Sequence, residues 1–593
     1  MNKSLLTVIC LLLVVPCQAK TIYVDANALG ANNGSSWSDA YKYLQDGLAD
    51  ANSSAKPVEI CVAQGIYKPD RGGGKTPGDR TATFQLINGV TLKGGYAGLG
   101  QPDPNARDTI LYETILTGDL NGNDVKVNDP CDLLTEPTRA ENSYHVVTGS
   151  NINKTAVLDG FTITGGNANG SPDDERDRGG GMFNNGHHNP CSPTVTGCMF
   201  IGNSAALSGG GMFNYEHGDG ECNPILTNCT FIRNASGMEG GAMSSWGGHS
   251  VVTNCTFGGN YSHYCGGGMA NAGSNPTLRN CTFSDNSTNG GGGGMFNYDS
   301  SPLVIDSIFR ANSADGGGGM YNVGTYSSPT LTNCRFIGNT GNNDGGAIHN
   351  DFSGTATLTN CSFSGNSADN GGGGIYNVRS SPMLTNCTFS GNSTQNNGGG
   401  LYNLGVSRPR LTNCILWGNN DSGGMDESAQ IFGGTPVVTY SCIQGLNAFM
   451  GYDNIGDDPL FADADGADDI PGTVDDNPRL MKGSPCIDNG NNAVIPVGVE
   501  TDLDGHPRII DGDCNDTDIV DIGAYEFNYA YMGDFNYNCQ VDFGDFAILA
   551  LAWLTDPKDG QWNPTCDISI PNDSFINMLD LHVFVENWLA GIE

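Results

Sequence analysis

The chain has 593 residues, 64 acidic against 26 basic side chains, and a formal charge of −38 at pH 7. Charge of that sign and size excludes nucleic acid and anionic membrane as partners, because both repel it. With 87 Gly and 20 Cys, the composition excludes a helical bundle and permits disulfides.

Residues 1–19 read as a secretory signal. Lys3 supplies the positive end, Leu5 to Val15 the apolar run, and Cys17 and Ala19 the small residues before a cleavage at Lys20. Lipid attachment at Cys17 is the alternative, with Pro16 ill suited to it. The run is too short to span a bilayer, and no other stretch is apolar enough. Residues 20–56 read as a cap: TIYVDANA is strand-like, and Ser38 to Ala51 forms an amphipathic helix with Tyr41, Leu44 and Leu48 on one face. Residues 57–178 hold irregular first coils, with VEICVAQGIY, GVTLKGGY and AVLDGFTITGG as strands.

From 179 to 445 the chain repeats itself. SNPTLRNCTFSDNSTNGGGGGMFNYD is one copy, Ser274 to Asp299. Its cysteine position recurs as Cys198, Cys229, Cys255, Cys281, Ser307, Cys334, Cys361, Cys387, Cys414 and Cys442, mostly 26 or 27 residues apart. That period is too short for a pair of helices and suits one turn of a parallel β-solenoid. In PTLRNCTF, Leu278, Cys281 and Phe283 point inward, so parity slips by one at Asn280 and the chain must bend there. Asn tolerates the left-handed conformation such a bend needs. Asn228, Asn254, Asn280, Asn333, Asn360, Asn386 and Asn413 therefore stack as one corner. The FxxN column from Asn203 to Asn419 is expected to hydrogen-bond from coil to coil. In GGGM(F/Y)N, Met295 and Asn297 point in and Phe296 out.

GGAI at Gly345 to Ile348 and the FxxN tetrads resemble the repeats of polymorphic outer-membrane proteins. More broadly, the chain resembles right-handed parallel β-helix proteins of the pectate-lyase-like kind. The fold class expected is all-β, with a small α-helical calcium-binding domain at the C-terminus. The resemblance implies a scaffold that hosts lyases, hydrolases and adhesins alike.

Residues 446–528 contain DPLFADADGADDIPGTVDD, GSPCIDNG, TDLDGHPR and VDIGAYEF. This series resembles the choice-of-anchor Q segment that closes such β-helices. Residues 532–593 resemble a dockerin, two calcium loops each followed by a short helix. The resemblance places ligands at Asp534, Asn536, Asn538, Asp542 and Asp545, with Cys539 where Gly is usual. In the second loop, which carries an insertion, it places them at Asp567, Ser569, Asp573, Asn577 and Asp580. The cofactor implied is Ca²⁺ and the partner a cohesin-like protein; the alternative is a calcium-stabilised mini-domain without a partner. DLNGND at Asp119 to Asp124 and DADGADD at Asp463 to Asp469 have calcium-loop spacing, or are solvated turns.

The cysteine column reads as buried thiols, with stacked disulfides the alternative. Cys191 and Cys222, each seven residues before a column cysteine, stack on adjacent coils and are expected to pair. Cys539 with Cys566, and Cys486 with Cys514, are further candidate pairs. Phe183, Phe213, Phe296, Tyr321, Tyr376 and Tyr402, with His349 among them, form an outward column flanked by Gly runs that leave it open. Such a stripe stacks on the sugar rings of a long glycan, or merely stabilises the face under a loop. His187, His188, His217 and His249, with Glu216 and Asp219, follow the same strand in three consecutive coils. They read as a catalytic or metal cluster, or as solvated loop residues.

Lys is absent from 155 to 481, and the three-Asp group, GHG turn and RIK run of pectin hydrolases are missing. Two functions stay open. One is a secreted or cell-surface protein that binds polysaccharide or cell envelope without cleaving it. The other is a carbohydrate-active enzyme, lyase or hydrolase, in polysaccharide catabolism. With no sortase motif or hydrophobic tail, any anchoring is expected to be non-covalent.

Overall fold

The structure, a computed structural model, describes residues 19–187, 189–217, 220–352, 354–512, 514–515, 517–527, 533–536, 539–569 and 574–588. Residues 1–18 of the signal segment lie outside them. No described helix is long and apolar enough to cross a membrane.

One coil illustrates how the sequence winds. Thr277–Arg279 joins a 14-stranded first sheet, Thr282–Ser284 a 13-stranded second sheet, Ser287–Thr288 a short nine-stranded sheet, and Met295–Tyr298 a 12-stranded third sheet. All four sheets pair in parallel, each strand with its counterpart one coil on. The bend between first and second sheets falls at the corner asparagines, with φ between 51° and 55° from Asn228 to Asn413. This is the left-handed conformation that the parity slip demands.

The core is built of like residues in stacks. Phe200, Phe231, Phe257, Phe283, Phe309, Phe336, Phe363 and Phe389 lie 4.4–5.1 Å apart and within 5° of parallel. The cysteine column is buried beside them, and all its described thiols are free. FxxN forms a continuous amide ladder: Asn312 Nδ2 donates to Asn339 Oδ1 and to Phe283 O, both at 2.9 Å. The asparagines of the third sheet form a second ladder, Asn271–Asn297–Asn322–Asn350–Asn377–Asn403, with amide bonds of 2.8–3.0 Å. Their inward direction was legible in the sequence; their bonding to one another was not.

Lys20–Val24 is the first strand of the first sheet, and the helix Leu44–Ser53 packs Leu44, Leu48 and Ala51 over this end of the solenoid. The helix starts six residues later than the sequence implies, after an extended Tyr43.

Residues after 446 do more than close the far end. They return along the corner side of four coils. Asn360 donates to Thr501 O at 2.7 Å, Asn386 to Asp521 O at 3.2 Å, and Asn413 to Asn491 O at 3.2 Å. Asp504 bridges Arg335 (3.0 Å) and Arg479 (2.7 Å). Beneath lies a buried Arg508–Glu526 pair at 3.1 Å.

Cysteine pairing follows the sequence once and departs from it twice. Cys191 pairs with Cys222. Cys514 pairs with Cys539 instead of Cys486, and Cys539 therefore does not meet Cys566. Cys486 is buried among Leu480, Ile522 and Cys442, and Cys566 among Phe535, Val541, Ile576 and Phe584. Each is a core residue of its own segment, while Cys514 and Cys539 sit on left-handed turns, at φ 64° and 61°.

Candidate functional site

The outward column exists, but much of it is covered. It begins at His145, which stacks 4.8 Å from Phe183; Phe183 stacks 6.1 Å from Phe213. Trp246 closes edge-on over Phe213 at 5.3 Å, and the Arg178 guanidinium lies 4.9 Å from the Trp246 ring. Phe183 and Phe213 are buried. They form no open platform, contrary to the expectation for them. After the small residues Ser244 and Ala270 the column resumes. Phe296, Tyr321, His349, Tyr376 and Tyr402 follow at 5.6, 4.5, 4.9 and 4.9 Å. Tyr376 and His349 are buried, while Phe296, Tyr321 and Tyr402 are half-buried.

The glycine runs explain the burial. They do not leave the rings open; they lie against them. A Cβ on Gly291 would sit 2.9 Å from Tyr321 Cγ, and one on Gly316 would sit 2.9 Å from His349 Nδ1. Backbone can approach a ring face this closely only without a side chain. The next residue in the run, Gly292, takes φ +73° to turn the chain into the third sheet.

One stretch stays accessible. Tyr264, Cys265, Phe296, Tyr321, Asp344 and His349 line a groove of about 550 Å³, with Asp315 and Asn343 at its side. Tyr264 is 58% exposed at one end. Tyr321 donates from its hydroxyl to Asp351 at 3.2 Å. Burial raises the Asp344 carboxyl above the usual carboxylate range. No Lys or Arg lines the groove among the described residues.

His349 is the anomaly here. Only 7% of it is exposed; neither ring nitrogen completes a hydrogen bond, and the Asp344 backbone is the group that approaches the ring as an acceptor. Burial lowers its pKa to about 3, so the ring is neutral at physiological pH. Leaving buried polar atoms unpaired costs about 1–3 kcal/mol. Phe or Tyr fills the same position in neighbouring coils without that cost, so packing alone does not account for a histidine. The sequence contained the signal, a histidine inside an aromatic column, but its burial was invisible there.

The other histidines are brought near one another along the backbone. Met182–His187 and Met212–His217 pair in register, which sets His187 beside His217. Cys191–Cys222 clasps the loops that follow, and His249 donates its N–H to Asn223 Oδ1 at 2.6 Å. Glu216 accepts the Cys222 N–H at 3.2 Å. His188 and Asp219 lie outside the described residues.

Among the described residues, two groups of acids or histidine gather ligand atoms closely. Asp502, Asp504 and His506 form one. Asp502 and Asp504 are engaged within it: Asp502 accepts from the backbone of Asp504, His506 and Glu526, and Asp504 holds two arginines. Asp119, Asp124 and Glu141 form the other, with oxygens within 4.8 Å of one another. Asp124 Oδ1 and Glu141 Oε1 are buried without partners there. The DADGADD loop joins neither group.

The two C-terminal loops fold alike. Asp545 accepts from Phe535 N, Asn536 N and Asp542 N at 2.7–3.0 Å, and closes the capping box whose N-cap is Asp542 on the helix Phe543–Leu551. Asp580 accepts from Ile568 N, Ser569 N and Asn577 N at 2.8–2.9 Å, and closes the capping box whose N-cap is Asn577 on the helix Met578–Glu586. Asp567 thus occupies the place of Asp534, Ser569 that of Asn536, and Asn577 that of Asp542. The second loop absorbs its extra residues between these fixed points. Asn538 and Asp573 lie outside the described residues. The described side chains of this set offer oxygen donors, which fits a hard cation such as Ca²⁺.

Residues 141–336 and 324–449 match the family model described as right handed beta helix region, and the chain belongs to that family. No curated protein matches it. Among solved structures it is similar to pectate lyase Pel9A, at 13% identity over 86% of this chain and 96% of that one, with a TM-score of 0.35. It is also similar to the catalytic unit of a thermostable GH87 alpha-1,3-glucanase from Streptomyces thermodiastaticus strain HF3-3, at 12% identity, 66% and 68% coverage and a TM-score of 0.33. A third is the tailspike protein gp49 of Acinetobacter baumannii bacteriophage Fri1, a capsular polysaccharide depolymerase, at 12% identity, 71% and 62% coverage and a TM-score of 0.27. At this level of similarity, the substrates of those proteins carry no weight for this chain.

Proposed function

We propose that this is a secreted or cell-surface β-helix protein that binds polysaccharide or cell-envelope glycan in the Tyr264–His349 groove. The observation that carries the reading is His349, a buried histidine whose ring nitrogens complete no hydrogen bond and are approached only by the Asp344 backbone, set in an aromatic groove. Aromatic faces pack on the C–H faces of sugars, and an unpaired polar atom awaits a hydroxyl.

Residues 532–593 act in this proposal as a dockerin-like, calcium-dependent attachment module for a cohesin-like protein. Calcium is held by Asp534, Asn536, Asn538, Asp542 and Asp545, and by Asp567, Ser569, Asp573, Asn577 and Asp580. The like folding of the two loops supports this, as does their oxygen donor set. Asp119, Asp124 and Glu141 are a further structural calcium site in the same proposal. Their mutual oxygen distances suit one ion at the 2.3–2.6 Å bond length of calcium.

The second reading is glycan cleavage. Asp344 favours it, because a carboxyl raised by burial at a groove wall is the property of a proton donor. One experiment separates the two. The purified mature chain is incubated with a glycan panel and calcium, and both retention and new reducing or unsaturated ends are measured. Retention without new ends is the expected result. New ends would establish an enzyme, and neither retention nor ends would remove both glycan readings.

A further inference from the structure

We propose that the groove takes an uncharged glycan and rejects polyuronates, and that His349 reads a sugar hydroxyl within it. The inference rests on the glycan-binding reading above and deepens it to a substrate class.

Charge decides the class. Asp315 and Asp344 line the groove, Asp351 stands behind the Tyr321 hydroxyl, and no described cation lines it. A polyuronate brings one carboxylate per sugar. Each would face acids across a partly desolvated wall, within the field of a chain at −38. A neutral pyranose brings only hydroxyls and C–H faces. Tyr264, exposed at one end, and the half-buried Phe296 and Tyr321 supply aromatic surface to the C–H groups of such a sugar, and Asn343 and the two acids offer polar atoms to hydroxyls. Tyr264 to His349 spans three coil steps, roughly 14 Å at ~4.8 Å per step. That length accommodates an oligosaccharide and exceeds a single sugar.

His349 supplies the specific contact. A neutral imidazole has one N–H donor and one bare nitrogen acceptor. A hydroxyl both accepts and donates, so it complements either nitrogen. As the ring sits under Gly316, neither nitrogen meets solvent. A half-turn about the Cβ–Cγ bond exchanges each nitrogen with a ring carbon and leaves the ring plane unchanged. Binding selects the orientation that turns a nitrogen to the sugar.

The test is isothermal titration of the full mature chain at pH 7, in calcium and again in EDTA. The probes are α-1,3-, β-1,3- and β-1,4-linked glucohexaose, xylohexaose and hexagalacturonate. At least one neutral hexasaccharide is expected to bind, with hexagalacturonate weaker by about a hundredfold or more in both buffers. His349→Phe is expected to weaken neutral-sugar binding about tenfold or more, while His349→Gln, which keeps a donor and an acceptor, loses about fivefold at most. Tyr452→Phe, on the exposed surface of the closing segment and outside the groove, should leave affinity unchanged. Should His349→Phe fail to fold, Phe296→Leu is expected to weaken binding in its place.

Hexagalacturonate binding as tightly as the neutral sugars, with or without calcium, would overturn the inference. So would neutral binding that neither His349→Phe nor Phe296→Leu reduces; that result moves the sugar elsewhere and leaves the glycan reading intact. Binding of no hexasaccharide at all would remove the glycan reading itself, and this inference with it.

Discussion

Asn312 shows how a single side chain carries a coil. It is fully buried, donates to Asn339 Oδ1 and Phe283 O, and accepts from the Asn286 backbone and side chain. Asn312→Ala would take the side-chain partner from Phe283 O and from the Asn286 backbone N–H, while Asn339 Oδ1 keeps the Asn312 backbone N–H; each buried group left unpaired costs about 1–3 kcal/mol. The expected outcome is a loss of about 3 kcal/mol or more, read as a lowered denaturant midpoint with local protease sensitivity in the flanking coils. The identity of this residue was legible because Asn recurs at one offset in every coil, and a buried amide is tolerable only when it stacks on another. His349 was named with the aromatic column, yet its importance was not legible. A histidine among tyrosines reads as one more ring until its two nitrogens are seen buried without a completed hydrogen bond.

At the scale of the element, the glycine run is the instructive case. The sequence presents GGGG beside an aromatic residue, and an open face is the natural expectation from missing side chains. The structure reverses it, because backbone without Cβ lets the next coil's ring pack directly on the turn. Gly291→Ala is therefore expected to displace Tyr321 and cost about 1–3 kcal/mol, as overpacking does. The check is the melting temperature of the variant, with a double variant Gly291→Ala, Tyr321→Ala recovering part of the loss.

The paired C-terminal loops form a second element. Trp553, Trp562 and Trp588 pack against their shared core. If calcium holds these loops, chelation should shift tryptophan emission to the red. A chain carrying Asp545→Ala and Asp580→Ala should start shifted and show no response to chelator. An unaltered spectrum in the native chain would count against calcium there.

The whole molecule is held by contacts between segments that are far apart in sequence. Asp521, in the returning segment, accepts the Asp488 N–H at 2.8 Å, and burial pushes its carboxyl up to about 7. In the unfolded chain such a group titrates near ~3.9. Between these values the folded state holds a proton that the unfolded state has lost. The contribution of Asp521 to stability is therefore full below about pH 4, falls as pH rises to about 7, and is level above. Asp521→Asn should be less stable throughout but decline less between pH 5 and 8, measured by hydrogen exchange or proteolysis of the 446–527 segment. An identical slope in variant and native chain would assign the pH dependence to another group.

The sequence by itself determined the solenoid, its inward stacks, the corner asparagines and the Cys191–Cys222 pair. All of these repeat at the coil period, and parallel strands in register convert equal spacing in sequence into contact in space. Only the tertiary structure decided which rings are covered and which line the groove. It also paired Cys514 with Cys539 and laid the segment after 446 along four coils. These arrangements join residues with no fixed spacing, and they depend on which segment packs over which. Burial, and with it the state of His349 and Asp521, is a property of that packing and not of the residue.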